Sequence, residues 1–455
     1  MPTEEITNNS LNILEAVMQD NSIESWQYFG YTPQSQDNIN TRGQPIQIEI
    51  NASDNYIIPG ESELYVKGQL VRNDNNNPYD ANDEIALVNN AIMFLFSDIR
   101  YTIGNMIVEY INNPGQVTSM LAYLSQPDDY STSSGLMSCW SKDTTNHARS
   151  SEYATSVAAP AAGYRPGRNV EYNQGFAARR GLLMSAEPRG SFSFVIPFRH
   201  MFGFGDYTKV IYNTKQTLTL NRMTSDNCAI HRAAGVADGK IRLTNITWRV
   251  PLIKPEIVRL KELRDIIESK QNIPVAFTAR TCESTVVPQT RSFSWRINVT
   301  TGVEKPRWLI VGFQIDRTYT QEQNPAVFDH LNLQNAYVMI NGERYPVYDV
   351  ISDFPANDYS ILYKMFENFK KEFYGFNSLV GGSQVNFAAF KSLFPILVFD
   401  VRHQSERLKS GIADIQLKFT FGDNVPANTT AYVVSLSDRL YQLKSDGKNL
   451  VMESN

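Results

Sequence analysis

The sequence predicts an all-β protein built from two β-sandwiches of jelly-roll type. Charged residues make up only 20% of the 455 residues and aromatic residues 11%, which favours strands and polar loops over charged surface helices. Segments in which apolar and polar residues alternate recur along the whole chain, as half-buried strands require. Each half also carries a strand, a tight turn and a helix in the same order, which indicates an internal duplication.

Composition argues against several classes of protein. The 42 Lys and Arg residues and 47 Asp and Glu residues give a formal net charge of −5, so the chain has no general attraction for phosphate backbones and is not a dedicated nucleic-acid coat. The three cysteines lie far apart without zinc-ligand spacing, and we expect reduced thiols. The acidic start Met1–Glu5 predicts no secretory signal. No run approaches the ~18 apolar residues that would predict a membrane span.

Five regions are predicted along the chain. Residues 1–44 form an N-terminal arm, with an amphipathic pattern over Leu11 to Met18. Residues 45–255 form the first jelly roll, which includes a long surface insertion at 126–190, rich in Ser, Ala, Gly and Pro and without periodicity. A connector helix follows at 256–270, with Ile257, Leu260, Leu263 and Ile267 on one face. Residues 271–441 form the second jelly roll, and residues 442–455 a C-terminal tail.

Strands are predicted from alternation and from short apolar runs. In the first roll these segments are 46–50, 64–70, 85–96, 99–103, 106–108, 191–196, 217–220 and 241–250. In the second roll they are 293–297, 308–315, 337–340, 415–421 and 432–434.

The internal duplication rests on two hairpins and on the helix that comes after each of them. In the first half, a hairpin turns at Gly104-Asn105 and a helix follows at about 114–125. In the second half, a strand turns at Asn341-Gly342 and a helix follows at about 358–373. Each half later has an apolar strand that ends in Arg-His, at 199–200 and at 402–403.

No constellation of residues predicts catalysis, so the expected sets of catalytic, cofactor-binding and metal-binding residues are empty. Asp329 and His330 are adjacent, but neighbouring side chains on a strand point to opposite faces. The stretch Phe202–Asp206 has two glycines but lacks the remaining residues of a phosphate loop, and we interpret it as a turn. Three tryptophans in strand patterns are predicted to lie in the core: Trp248, Trp295 and Trp308.

A basic cluster lies inside the long insertion and consists of Arg165, Arg168, Arg179 and Arg180. Its predicted environment is a solvated loop, and contact with a neighbouring molecule or a polyanion is the alternative.

A set of short sequence strings recurs in a fixed order over both halves of the chain. In the first half the strings are Leu64–Gly68, Val88–Ser97, Ser193–Phe198 and His200–Phe204. In the second half they are Trp295, Glu304–Gln314, Phe328–His330, Tyr345–Val347, Phe373–Gly375, Phe399–Val401, Gln404–Lys409 and Ala431–Tyr432. Taken together and in this order, they closely resemble the double jelly-roll major capsid proteins of Polinton/adintovirus-like double-stranded DNA viruses, and related capsid-like proteins embedded in animal genomes. The resemblance covers about Tyr31 to Ser435.

The resemblance implies two tandem eight-stranded jelly rolls with short helices in the loops. It also implies a non-enzymatic major capsid protein, in which pseudo-hexagonal homotrimers tile an icosahedral shell in the virion. The implied partners are the chain itself, neighbouring capsomers, and penton and minor capsid proteins, without sequence-specific nucleic acid. The chain would be made in the host cytosol, with assembly in the nucleus as one possibility.

Two alternatives remain open at the level of sequence. The first is a host-domesticated capsid-like protein that no longer packages a genome. The second is a carbohydrate-binding or hydrolytic β-sandwich protein, for which Trp26, Trp140 and Asp128-Asp129 are the suggestive residues. The N-terminal arm is expected to lie under the shell or to reach a neighbour, so that deleting residues 1–40 would weaken assembly and leave trimers folded.

Overall fold

The computed structural model describes residues 22–35, 37–52, 55–153, 167–297, 305–375, 383–404, 413–445 and 450–454. The strands are β1 Ile23–Tyr31, β2 Pro45–Ile50, β3 Tyr56–Ile57, β4 Glu63–Arg72, β5 Ile85–Leu87, β6 Phe96–Ile103, β7 Met106–Asn112, β8 Ser191–Pro197, β9 Ile211–Tyr212, β10 Gln216–Arg222, β11 Ile230–Arg232, β12 Gly239–Pro255, β13 Ile273–Val286, β14 Ser292–Ile297, β15 Pro306–Ile315, β16 Leu333–Ile340, β17 Glu343–Tyr345, β18 Leu397–Asp400, β19 Ile415–Phe421, β20 Thr429–Ser445 and β21 Leu450–Ser454. The α-helices are α1 Ala91–Phe94, α2 Pro114–Ser125, α3 Gln174–Met184, α4 Phe198–Met201, α5 Ile257–Glu268, α6 Ser360–Tyr374 and α7 Phe387–Ser392. Short 3₁₀ turns occur at Asp37–Asn40, Pro59–Glu61, Asp128–Thr132, Gly135–Ser138, Gly203–Asp206 and Asn227–Ala229.

Both halves of the chain have the same strand topology. The first roll uses β1, β2, β4, β6, β7, β8, β10 and β12 as its eight main strands, and the second roll uses β13 to β20. Numbered from one to eight within each roll, the strands form one sheet in the order 1-8-3-6 and a second in the order 2-7-4-5. The ladders between these strands are antiparallel throughout. The predicted double jelly-roll fold is therefore confirmed.

The two hairpins that indicated the duplication form where the sequence places them. Gly104 has φ +60° between β6 and β7, while Asn341 and Gly342 have φ +48° and +91° between β16 and β17. The helix after the first hairpin, α2, begins at Pro114 and ends at Ser125, as predicted. The helix in the second half, α6, buries Leu362, Phe366 and Phe369 along one face. The turn residues determine the two hairpins, and the proline at its first position marks the start of α2.

The core is continuous across both rolls. Buried side chains of the first roll, such as Trp248 and Tyr101, belong to the same apolar cluster as buried side chains of the second, such as Trp308 and Phe313. Trp295 is buried as well, so the core assignment of the three strand tryptophans is confirmed. In strands that have one face toward the core, such as β2, every second residue is buried. The two rolls consequently pack as one body.

The N-terminal arm is shorter than the sequence predicts. Residues 23–31, assigned to the arm, form β1, which pairs with β12 from Ile23↔Pro255 to Tyr31↔Trp248 and is the first strand of the first roll. The prediction failed because β1 carries apolar residues on both faces and no alternating pattern. The amphipathic pattern at 11–18 lies outside the described residues. Deleting residues 1–40 would remove a strand of the roll as well as an arm.

Three further regions differ from what the sequence predicts. The predicted C-terminal tail includes the end of β20 and the strand β21, which pairs with β20. The insertion at 126–190 is only partly a surface feature, since its Trp140 and Arg179 are almost fully buried. The connector helix forms as α5, and of the four apolar residues on its predicted face only Ile267 is buried, while Ile257 is exposed. The helix therefore connects the two rolls along the surface and contributes little to the core.

Candidate assembly surfaces and the junction between the rolls

The histidines and carboxylates singled out in the sequence do not assemble into a reactive group. The ring of His330 stacks on Phe354 at 4.4 Å between centroids, and its Nδ1 accepts a hydrogen bond from the backbone N–H of Asn332. The carboxylate of Asp329 instead pairs with Arg317. Neighbouring residues 329 and 330 therefore have different partners, although they lie in the loop between β15 and β16 and not on a strand.

Arg179 of the basic cluster has a role that neither sequence interpretation included. Its guanidinium donates to a carboxylate oxygen of Asp143 at 2.6 Å, and both side chains are buried. It also donates to the carbonyl oxygens of Leu87 and Ser141. Arg180 is paired with Glu84, and Arg165 lies outside the described residues. Arg179 therefore anchors α3 to the first roll, so a solvated loop is the wrong environment for this residue.

The residues suggested for a carbohydrate site do not come together. Trp140 is buried and donates its indole N–H to Gln384, so it presents no face to a ligand. Asp128 and Asp129 line an open cleft of roughly 780 Å³, and no aromatic side chain occurs among the described residues that line it. Trp26 lies on β1. The stacking platform that a sugar site needs is therefore missing from these residues.

A buried carboxylate joins the two rolls. Glu109 on β7 of the first roll accepts hydrogen bonds from the backbone N–H groups of Gly203 at 3.1 Å, Phe204 at 3.0 Å and Arg280 at 2.7 Å. Arg280 belongs to β13 of the second roll. Burial raises the pKa of Glu109, while the Arg280 charge and the three N–H donors oppose that shift. A shift of β13 along the first roll would remove the Arg280 N–H from this buried carboxylate, so the contact favours one register.

Arg280 completes this contact from the other side. Its guanidinium donates to the carbonyl oxygens of Arg199 and His200, both at 2.9 Å. The turn that follows them approaches β13 so closely that a Cβ on Gly203 would lie 1.9 Å from the carbonyl oxygen of Thr278. The glycine-containing stretch 202–206, interpreted from sequence as a turn, is thus a 3₁₀ turn seated on the second roll. Only glycine permits this approach.

A second set of contacts lies between α2 and the second roll. The hydroxyl of Tyr123 donates to the carbonyl oxygen of Ala326 at 3.0 Å, and its ring packs on Phe394 at 4.2 Å between centroids. Gln384 donates from its side-chain amide to the carbonyl oxygen of Ala122 at 2.7 Å. Asp143 also accepts from the amide of Asn324 at 2.9 Å. The junction is therefore extensive, and buried polar groups specify its geometry.

Sequence reasoning missed Glu109 and Arg280 because burial between two rolls is a property of tertiary structure. One signal was available for Glu109. It is the single charged residue in the otherwise apolar segment Met106–Ile111, and a charge within a buried strand requires a partner. Arg280 carried no comparable signal, since β13 was not predicted as a strand.

Two exposed apolar surfaces stand out elsewhere. The first is β1, where Trp26, Tyr28 and Phe29 are all exposed. The second is the segment after β17, where Val347, Tyr348 and Ile351 are exposed. We call these the β1 surface and the 347–351 surface. Exposed apolar patches mark sites of association between proteins when they are large and contiguous.

Two searches for other sites gave negative results. Among the residues that the structure describes, no group of three or more His, Cys, Asp or Glu side chains has the arrangement of a metal site. In the same part of the chain, no helix has the length and apolar character needed to cross a membrane.

Comparison with known proteins gives one family and several similar structures. A family model described as the double jelly roll-like domain matches residues 171–441, more than half of the chain. A chain from the cryo-EM structure of the Sputnik virophage is similar with a TM-score of 0.59 and 12% identity, covering 98% of this chain and 91% of that one. No match was found among curated proteins.

Two further solved structures show the same likeness. The capsid model of the virus PBCV-1 has a TM-score of 0.53 and 11% identity, covering 97% of this chain and 100% of that one. The crystal structure of the mavirus major capsid protein has a TM-score of 0.51 and 11% identity, covering 98% and 93%. At these identities the structures establish a shared fold.

Proposed function

We propose that this chain, which belongs to the double jelly roll-like domain family, is a structural major capsid protein. The observation that carries the proposal is the pair of topologically identical rolls held in one register by the buried Glu109 junction, with apolar surfaces left exposed on each roll. A shell subunit needs a rigid body and surfaces that bury area against neighbours, and this chain has both. Mavirus and PBCV-1 proteins of the same fold form part of capsids.

The assembled unit in this proposal is a homotrimer with a pseudo-hexagonal outline. Three copies bring six rolls together, and such units tile an icosahedral shell. The partners are other copies, neighbouring capsomers, and penton and minor capsid proteins. The protein acts in the virion, after synthesis in the host cytosol and assembly there or in the nucleus. It performs no catalysis and reads no nucleic-acid sequence, and its relation to Polinton/adintovirus-like viruses follows the resemblance in sequence.

Light scattering coupled to size-exclusion chromatography tests the oligomer, with the full chain at micromolar concentration. We expect three times the monomer mass of 51.6 kDa. Electron microscopy of the same sample tests the higher assembly, and the expected images show closed icosahedral particles. A monomer at every concentration contradicts the capsid proposal. Trimers that never close, with or without minor proteins, favour instead the domesticated capsid-like protein.

A further inference from the structure

We infer that the amphipathic segment 11–18 packs, within the same chain, on the exposed face of the connector helix α5. This contact lies beside the point where the chain enters β1, and it does not depend on the proposed homotrimer. It is supported by an open face on α5, by a short connection between the segment and the helix, and by complementary charge.

The exposed face of α5 is apolar at its start and basic further along. Ile257 and Val258, in the first turn, are 75% and 60% exposed. Lys261 and Arg264 follow Ile257 at positions i+4 and i+7, which places these three residues on one face of the helix. The structure describes α5 over its whole length, and Ile267 is its only buried residue. The face that begins at Ile257 is therefore open to another element.

The segment 11–18 is connected to this face by only a few residues. The backbone N–H of Glu256, the residue that caps α5, donates to the carbonyl oxygen of Ser22 at 3.0 Å. The chain before β1 therefore starts beside the first turn of the helix. Met18 is four residues from Ser22, and a fully extended chain of that length reaches at most about 14 Å. Met18 is thus confined near Ile257 at a high effective concentration.

The spacing of residues in the segment corresponds to the spacing on α5. Leu11, Leu14 and Met18 occur at positions i, i+3 and i+7, which share one face when a segment is helical. Glu15, at i+4, belongs to the same face. The segment thus combines apolar residues with one carboxylate, whereas the face of α5 combines apolar residues with two basic ones.

The short connection also determines the direction of the contact. Because Met18 is held near Ile257, residues that precede Met18 extend along α5 from its first turn toward its end. In this antiparallel arrangement Glu15 lies level with Lys261, one helical turn from the apolar pair. The apolar contact then stabilises the segment on the helix, and the ion pair specifies its register.

Charge favours α5 over a polyanionic partner for the segment. Residues 1–21 contain no lysine or arginine and four carboxylates: Glu4, Glu5, Glu15 and Asp20. Anionic lipid surfaces and nucleic acids attract basic segments, so an acidic segment does not suit either of them. Within the described chain, Arg259 of α5 pairs with Glu262, whereas Lys261 and Arg264 form no ion pair. These two cations are therefore available to carboxylates of the segment.

Disulfide formation in the full chain tests the contact. The double variant Met18→Cys/Ile257→Cys is equilibrated in a glutathione redox buffer, and the three native cysteines are buried and do not compete. We expect a disulfide within one chain, seen at the monomer mass on a denaturing gel and assigned by mass spectrometry. The control is Met18→Cys/Val170→Cys, because Val170 is 89% exposed but lies outside α5. Its effective thiol concentration should be at least about 10-fold lower.

Charge reversal in the same double-cysteine protein tests the register. Lys261→Glu places a carboxylate opposite Glu15, and we expect the effective thiol concentration to fall by about 2- to 5-fold, the range for a surface ion pair. Adding Glu15→Lys restores the opposite charges and should recover the original value. Lys364→Glu, on the exposed side of α6, is the matched control and should change nothing. Melting curves establish that every variant is folded.

Three results would overturn the inference. Equal disulfide formation in the two cysteine pairs would mean that the segment has no preferred position on α5. A disulfide that joins two chains, at twice the monomer mass, would identify a second copy as the occupant of this face. Binding of the wild type to phosphatidylserine vesicles that Ile257→Glu abolishes would identify lipid as the occupant. A wild-type protein that is monomeric refutes the proposed trimer and leaves this contact in place.

Discussion

Acidification should weaken the fold through one buried histidine. His231 on β11 has no exposed surface, and its ring lies edge-on to Phe176 at 5.6 Å between centroids. Burial lowers its pKa to about 4; nearby Asp143 opposes the shift, and the charges of Arg179 and Arg317 add to it. An unfolded histidine has a pKa of about 6.5, so below that pH the unfolded chain binds a proton that the folded chain excludes.

The difference between the pKa of His231 in the folded and in the unfolded chain sets the sign and size of the change in stability with pH. The stabilising contribution of neutral His231 is fully present above about pH 6.5 and is lost as the pH falls toward about 4. At about pH 5 the unfolded form is almost fully protonated and the folded form is not, so the free energy of unfolding falls by about 2 kcal/mol. Against a total of about 5–15 kcal/mol for a typical protein, this loss is measurable.

The assay compares the wild type with His231→Phe, which keeps an aromatic ring beside Phe176 but cannot be protonated. Urea unfolding is followed by tryptophan fluorescence at fixed protein concentration, between about pH 7 and about pH 5. We expect the difference in unfolding free energy between the two proteins to move by about 2 kcal/mol in favour of the variant as the pH falls. Replacing the exposed His147 by Gln serves as the control and should leave the pH dependence unchanged. A difference that stays constant across this range refutes the reasoning.

Four further predictions address stability and reactivity. Asp143→Asn leaves the buried Arg179 without its counter-charge and should lower the free energy of urea unfolding by about 3–5 kcal/mol. Replacing both Asp143 and Arg179 with apolar residues should recover much of this loss. If the single and the double variant lost the same unfolding free energy, the unpaired charge would not be the cause. Gly342→Ala forces a side chain into a left-handed turn and should cost about 1–2 kcal/mol. Gly181→Ala, inside α3 and with open space around the new methyl group, should instead stabilise by up to about 1 kcal/mol. Burial raises the pKa of the Cys139 thiol to about 11 and the pKa values of Cys228 and Cys282 to about 12. A thiol reagent at about pH 8 should therefore label these cysteines only after unfolding. Rapid labelling of the native protein would contradict this prediction.

Elements with local signals could be predicted from sequence. The turns at Gly104 and at Asn341-Gly342 need positive φ, and residues that tolerate it occur there. Helix α2 begins at a proline, whose fixed φ and missing N–H suit the first turn of a helix. Strands such as β2 and β19 alternate cleanly because one face meets the core and the other meets solvent. In each case the information lies within a few neighbouring residues.

Elements shaped by contact between rolls could not be predicted in the same way. Strand β13 is buried at consecutive positions, Ala279 and Arg280, because the first roll covers the Arg280 side chain with the carbonyl groups of Arg199 and His200. Strand β1 also breaks alternation, with Tyr28 and Phe29 adjacent and both exposed. Period-two patterns describe a strand with one wet face, and neither strand fits that description. Arg179 was misjudged likewise, because its partner Asp143 lies 36 residues away in sequence.

The contrast between the two kinds of contact has a physical basis in chain connectivity. Helix α5 ties the rolls together, so their docking is intramolecular and occurs at a high effective concentration. The junction inside the chain therefore does not have to supply the free energy that brings two bodies together, and a buried carboxylate such as Glu109 can serve to fix register although its desolvation is costly. A contact between separate copies must overcome lost translational and rotational freedom, which favours apolar area over buried charge. Within one chain that cost is already met by the covalent connection, which is why polar groups such as Glu109 and Arg280 can form the junction between the rolls.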